Sequence, residues 1–110
     1  MNSKEFNEEL QQYFDNVNQL SLIELLLFTP KLNRFVESEA RRLRIQKVVT
    51  DICGYDASAR EFAHRISYND FRNRKTIGEL SALGMKLFLF YECGVDWGNP
   101  DARVKGFAEH

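Results

Sequence analysis

Hydrophobic residues recur at helical spacing along most of the chain, and the longest regular stretch predicts a central helix from Pro30 to Cys53. Thr29 and Pro30 are residue types preferred at an N-cap and at the first helical position, and Gly54 is a typical C-terminal stop. We expect the rest of the domain to pack around this helix.

The buried side of this predicted helix changes around Arg41 to Arg44. The apolar residues before and after that point lie on nearly opposite sides; they are Leu32, Phe35, Val36, Ala40 and Leu43, then Ile45, Val48, Val49 and Ile52. Either the helix breaks there, or one continuous helix is covered first on one flank and then on the other. Because no Gly or Pro interrupts the stretch, we favour the continuous helix.

Capping boxes mark the starts of the other helices. In this motif a Ser or Thr is followed three residues later by an acidic residue; the pairs are Ser21 with Glu24, Ser58 with Glu61, Ser67 with Asp70, and Thr76 with Glu79. An amphipathic helix also begins near Ser3, with the apolar stripe Phe6, Leu10, Tyr13, Phe14 and Val17. The pattern predicts an all-α, compact, single-domain bundle of about five or six helices over the whole chain.

The run from Met85 to Tyr91 is apolar enough to form either a buried helix or a strand. We favour a helix, because a lone strand would have no partner elsewhere in the chain. Its predicted buried face comprises Ile77, Leu80, Leu83, Gly84, Leu87, Phe88 and Tyr91, with Gly84 permitting the close approach of a neighbouring element. Gly94 ends this helix, and residues 97–110 form a tail segment that we expect to pack loosely.

Composition agrees with one small domain, since 110 residues with 44% hydrophobic and 13% aromatic content can bury a core without metals or disulfides. The net charge of −1 conceals an uneven distribution. Residues 31–75 carry eleven Lys and Arg against six acidic residues, which gives +5, whereas residues 1–30 and 76–110 carry −4 and −2. The centre of the chain is therefore basic and both ends are acidic.

No residue pattern indicates catalysis, a cofactor or a metal. Cys53 and Cys93 lack the spacing of a metal or redox motif and are predicted to be reduced, partly buried thiols. His64 and His110 have no Cys, Asp or Glu at ligand or triad spacing, so we interpret both as solvated. The N-terminal segment has no apolar secretory region and no apolar run is long enough to span a bilayer, so we expect a cytoplasmic protein without membrane contact.

The basic centre supplies the candidate partner-binding residues, which are Arg41, Arg42, Arg44, Arg60, Arg65, Arg72, Arg74 and Lys75. If they converge, they form a positive patch suited to phosphates or to an acidic protein surface. The alternative is that they are solvated and paired with acidic residues such as Glu37, Glu39, Asp51 and Glu61.

Trp97 is a further candidate for partner contact. It is the only Trp and lies outside every predicted helical stripe, in the turn GVDWGNP. Tryptophan is enriched at interface hot spots because its rigid ring gains much contact area when buried. The alternative is that the ring folds back over the end of the last long helix.

Two nucleic-acid-binding patterns are partly present. A helix-turn-helix fits residues 62–68, but the second helix then has Asn73 where an apolar residue is required. Residues 68–99, with YN, TIGELSALG and GVDWGNP, resemble the helix-hairpin-helix-like C-terminal domains of RNA polymerase α subunits and competence regulators. This resemblance covers less than a third of the chain, and Trp97-Gly98-Asn99 replaces the family's Gly-x-Gly, so no functional residue is carried over.

A compact helical protein without a catalytic constellation works by presenting a surface. We therefore expect a small non-enzymatic regulatory or adaptor protein that binds another macromolecule, with a protein as the partner. An inhibitor, and a protein encoded by a phage or mobile element, are compatible with this size. The alternative is a DNA- or RNA-binding protein that uses the basic segment 41–75, and a homodimer that buries part of Met85 to Tyr91 is compatible with either.

Overall fold

The structure, a computed structural model, describes residues 3–28 and 30–102, and this part of the chain contains six α-helices and no β-strand. The helices are α1 (Ser3–Val17), α2 (Leu22–Phe28), α3 (Glu39–Cys53), α4 (Ala59–Arg65), α5 (Tyr68–Arg72) and α6 (Gly78–Cys93), and a 3₁₀ helix spans Pro30–Arg34. The predicted all-α bundle is confirmed. None of these helices combines the length and apolar character needed to cross a bilayer.

The predicted continuous helix from Pro30 to Cys53 is wrong. The 3₁₀ helix ends at Arg34, a non-helical segment follows, and α3 begins only at Glu39. Ala40 and Leu43, which the continuous helix would have buried, are exposed on α3. The predicted N-cap Thr29 lies outside the described residues.

The break needs no Gly or Pro because Ser38 provides an N-cap for α3. Ser38 has an extended backbone, and its hydroxyl accepts a hydrogen bond from the Arg41 amide at 3.3 Å. The Arg42 guanidinium donates to the carbonyl oxygens of Val36 and Glu37 at 2.8 and 2.6 Å. These bonds satisfy carbonyls that a continuous helix would have paired along its own backbone.

The centre of the core is α6, which contacts α1, α3, α5 and the 3₁₀ helix. The predicted helix through Met85 to Tyr91 is confirmed, and its fully buried apolar side chains are Ala82, Met85, Phe88, Leu89 and Cys93. The predicted buried face is displaced by about one residue, because Leu80, Leu83 and Tyr91 are exposed. Since α6 is apolar on most sides, its sequence pattern does not define which side meets the core.

The serine capping residues are confirmed, and the threonine is not. Ser58 and Glu61 form a complete capping box, and the Ser21 and Ser67 hydroxyls accept from the backbone amides three residues later. Thr76 does not cap α6, because Gly78 has φ of 77° and so interrupts the first turn that a Thr76 cap would need. Gly94 ends α6 in the left-handed region as predicted, with the Val95 amide donating to the Leu89 carbonyl at 2.9 Å.

Gly84 is the point of closest approach between α6 and the segment before α3. A Cβ atom at this position would overlap Val36 Cγ2 and lie 2.8 Å from the Phe35 carbonyl oxygen. The predicted role of Gly84 in a close approach is therefore confirmed.

We expect Gly84→Ala to lower the free energy of unfolding by about 1–3 kcal/mol, because backbone and side chain must both move to admit the methyl group. At an uncrowded helical position the same change would be stabilising by up to about 1 kcal/mol. Urea denaturation measures the difference. The control is Gly98→Ala, whose Cβ would meet nothing closer than Asp96 Oδ1 at 3.4 Å. Equal stability of the Gly84 variant and the native chain would contradict the close crossing.

Candidate functional site

The outer side of α6 carries a row of leucines that the bundle does not cover. Leu80 and Leu83 are 62% and 45% exposed, and Leu87, one turn further along, is half-buried. The segment 35–38 forms the opposite wall, and Gly84 lies between the two walls. These elements enclose an open cleft of about 340 Å³ whose lining is mainly apolar.

The polar rim of this apolar cleft comes from the start of α3. Glu37, Ser38 and Arg41 line it beside the leucines. Arg41 and Arg42 have different roles although they are neighbours: the Arg42 side chain is bound to backbone carbonyls, whereas Arg41 lies exposed at the cleft. The carbonyl bonds of Arg42 therefore hold the wall of the cleft in place.

A second cleft, of about 330 Å³, is basic. Four exposed cations line it, two from α3 and two from the turn before α6: Arg44, Lys47, Arg74 and Lys75. Asp51 is the carboxylate among its lining residues. In the part of the chain that the structure describes, none of the four cations forms an ion pair within 4.0 Å. Their charges are therefore available to a ligand.

The two clefts lie next to each other along α3. Arg41 in the apolar cleft and Arg44 in the basic cleft are three residues apart and lie on one face of α3. On the other side, Leu80 of the apolar cleft follows Thr76 of the basic cleft by four residues. We call the combined surface, lined by residues 35–51 and 74–87, the α3–α6 groove. It is apolar at one end and positively charged at the other.

Comparison with protein-family models, curated proteins and solved structures gives no match. The function must be inferred from the surface itself.

The eight predicted basic residues do not form one patch. Arg41, Arg44, Arg74 and Lys75 line the groove. The other four lie elsewhere. Arg42 binds the carbonyls of the segment before α3, and Arg60 Nε donates to the Pro100 carbonyl at 2.9 Å. Arg72 lies 4.0 Å from Glu79, and Arg65 lies exposed near Cys53. The expected pairing with Glu37, Glu39, Asp51 and Glu61 is not observed among the described ion pairs.

Sequence reasoning missed Lys47 and the three groove leucines. Lys47 follows Arg44 by three residues on the same helix, and this spacing could have added it to the basic set. The leucines were assigned to the core, because an apolar stripe does not show whether another element covers it. The helix-turn-helix alternative also loses support, since α5 has five residues and is too short to lie along a groove of DNA.

Trp97 lies in the core, which corrects its assignment to partner contact. Its ring is 4% exposed and packs against Phe62, Tyr68 and Phe71, with ring centroids 5.3 to 5.6 Å apart. The indole N–H donates to the Ile66 carbonyl oxygen at 2.8 Å. The alternative is right that the ring folds back, but the ring packs against α4 and α5 and not over the end of the last long helix.

A buried carboxylate joins the 3₁₀ helix to α6. Arg34 Nη1 lies 2.6 Å from Glu92 Oε1, and Lys31 Nζ lies 3.3 Å from Glu92 Oε2. Lys31 also hydrogen-bonds the Tyr13 hydroxyl, and this bond, followed by the nearby charges, raises the pKa of Lys31 against the opposing effect of burial. The cluster therefore ties α1, the 3₁₀ helix and α6 together, and none of its residues lines either of the two clefts described above.

Among the residues that the structure describes, the remaining titratable candidates give no constellation of catalytic geometry. His64 Nε2 lies 2.7 Å from Asp101 Oδ1. The sequence predicted a solvated His64 and missed this contact, because the two residues are 37 positions apart. His110 lies outside the described residues. Both cysteines are free thiols, and among the described residues no three His, Cys, Asp or Glu side chains are placed to hold a metal ion.

The buried Cys93 thiol gives a prediction about pH. Burial raises its pKa well above the ordinary value of 9.0, so only the unfolded chain gains a thiolate as the pH rises past 9.0. The Cys93 thiol therefore does not change the free energy of unfolding below pH 9.0. Above that pH it lowers the free energy of unfolding by about 1.4 kcal/mol per pH unit. Denaturation at several pH values should show this loss in the native chain relative to Cys93→Ala. Parallel pH profiles for the two proteins would contradict the burial of the thiol.

We expect Trp97→Ala to lower the free energy of unfolding by about 3–5 kcal/mol, because it empties the space between three aromatic rings. The control is Tyr55→Ala, since Tyr55 is 68% exposed and should tolerate truncation. Urea denaturation measures both. Indole emission from the native protein should be blue-shifted and resistant to iodide, and a red-shifted, quenchable signal would show that the ring is exposed.

Proposed function

We propose that the chain is a binding protein that holds an acidic segment of a protein partner, with apolar anchor residues, in the α3–α6 groove. The observation that carries this proposal is that the uncovered leucine row and the four cations of the basic cleft line adjacent clefts along α3. A partner that combines leucine-like and acidic side chains would use both ends of the groove. Either end alone would suit many ligands.

The apolar end would supply most of the affinity. Covering an exposed Leu side chain contributes about 1.5–3 kcal/mol, and the groove offers Leu80 and Leu83 together with the half-buried Phe35 and Leu87. Binding must also offset the ordering of the partner segment, which costs several kcal/mol.

The basic end would supply orientation and speed of association. Exposed charges contribute little net affinity in water, but a cluster of one sign attracts an oppositely charged partner and fixes its direction in the groove. In the basic cleft four cations are accompanied by one carboxylate, Asp51, so the cluster is locally positive. A negatively charged segment would therefore be attracted to this end of the groove.

Nucleic-acid binding is the second candidate, and the cluster of Arg44, Lys47, Arg74 and Lys75 favours it. Phosphates would need the cations but not the leucines. The logarithm of the affinity would then fall with the logarithm of salt concentration at a slope of about 0.7–0.9 per phosphate contacted. The apolar row beside the cations makes a protein segment the better fit.

Selection from a display library of random peptides tests the proposal. The native chain is expected to enrich sequences that combine Leu, Ile or Phe with Asp and Glu. A selected peptide should lose at least about tenfold in affinity, or 1.4 kcal/mol, with each of Leu83→Asp and Lys75→Glu.

Two matched controls separate the groove from general effects of charge. Leu20 is 46% exposed, as Leu83 is 45%, so Leu20→Asp places the same charge on an equally exposed leucine elsewhere. Arg65→Glu makes the same reversal as Lys75→Glu on a cation outside both clefts. Peptide affinity unchanged by the groove variants would refute the proposal. Binding of a random oligonucleotide that depends on Lys75 but not on Leu83 would favour the second candidate instead.

A further inference from the structure

The apolar stripe of α1 is fully buried only near the C-terminal end of the helix. Phe14 and Val17 are its buried residues, whereas Phe6 of the same stripe is 39% exposed and Leu10 is half-buried. Tyr13 is 37% exposed, and the Lys31 ammonium group lies over one face of its ring. The helix also carries four acidic residues against one Lys. It is therefore an acidic amphipathic helix whose apolar stripe is partly uncovered, which is the chemistry that the α3–α6 groove fits.

The two surfaces match in spacing and in charge. Phe6 and Tyr13 are seven positions apart, as Leu80 and Leu87 are, so each apolar row is roughly 10 Å long. The net charge of α1 is −3, from one cation and four carboxylates. The groove has a net charge of +3, from the five cations Arg41, Arg44, Lys47, Arg74 and Lys75 and the two carboxylates Glu37 and Asp51.

Within one molecule α1 does not reach the groove. The Asn18 side chain donates to the Cys93 carbonyl at 2.8 Å, and the Phe14 ring lies against Gly94, so α1 begins its contact at the C-terminal end of α6. The centre of the leucine row, at Leu83, is ten residues earlier on α6, which is roughly 15 Å away. No α1 residue lines either cleft.

We infer that the groove takes α1 of a second copy of this chain. This inference rests on the proposed function, since it names the segment that the groove binds. The helix and the groove are different surfaces, so two arrangements are possible. If each copy gives its helix to the next copy, the copies add end to end. If two copies exchange helices, they close a two-fold dimer in which each contact is made twice. The protein is thus a dimer in which each copy supplies α1 to the other.

A charge exchange tests the inference with the full-length chain. One variant carries Glu8→Lys and Glu9→Lys, so that both its helix and its groove are basic. The other carries Arg74→Glu and Lys75→Glu, so that both surfaces are acidic. Each variant alone is expected to be monomeric, at the chain mass of 12.9 kDa. An equimolar mixture should form a heterodimer of twice that mass, because each helix then meets a groove of opposite charge.

Sedimentation equilibrium from micromolar to millimolar concentration measures the masses, and circular dichroism checks that each variant is folded. The native chain and the Arg65→Glu control should both dimerise, and Leu83→Asp should weaken the dimer at least about tenfold. A monomeric native chain would overturn the inference. So would a dimer insensitive to Leu83→Asp, or variants that fail to pair when mixed.

The failures of the two proposals can be told apart. If the native chain is monomeric but display peptides still bind in a manner that depends on Leu83 and Lys75, the groove binds a foreign segment and only the dimer is refuted. If neither the binding of peptides nor the formation of the dimer depends on Leu83 and Lys75, both proposals fail.

Discussion

The crossing of the segment 35–38 over Gly84 is the contact on which both the core and the groove depend. The backbone approaches so closely that a methyl group on Gly84 would overlap Val36 and crowd the Phe35 carbonyl. The non-helical conformation of this segment interrupts the helix that the apolar pattern predicted, and Ser38 and Arg42 satisfy the backbone groups that the interruption leaves. The same segment also forms one wall of the apolar cleft, so core packing and surface shape have one cause.

Local signals in the sequence were sufficient for the fold class and for most helix ends. Ser21, Ser58 and Ser67 cap helices by bonds that reach only three residues, and Gly94 ends α6 through its own backbone freedom, so each can be recognised from its neighbours. The start of α3 was missed although Ser38 is the same kind of signal. The helical spacing of apolar residues continues through Ser38, and this regular spacing favoured one continuous helix over a new helix that begins at Ser38.

Tertiary position could not be predicted, because it depends on partners far along the chain. Trp97 is buried by rings about thirty residues away, and it donates to a carbonyl 31 positions earlier. For α6, apolar residues occupy most sides of the helix, so periodicity alone does not show that Leu80 and Leu83 face outward. The basic residues were assigned by type, and only the fold separates Arg42, which holds the backbone, from Arg41, which faces the groove.

The distribution of charge gives a physical reason why the leucine row needs an occupant. A net charge of −1 provides little repulsion between copies of a 110-residue chain, so uncovered apolar surface is free to associate. Association through leucines alone would be unselective, since apolar contacts have little directional preference. In the dimer that we propose, the cations beside the row and the carboxylates beside the α1 stripe make one pairing attractive and like-to-like pairings repulsive. Under this proposal, the uneven charge of the chain converts a surface prone to unselective association into one that selects its partner.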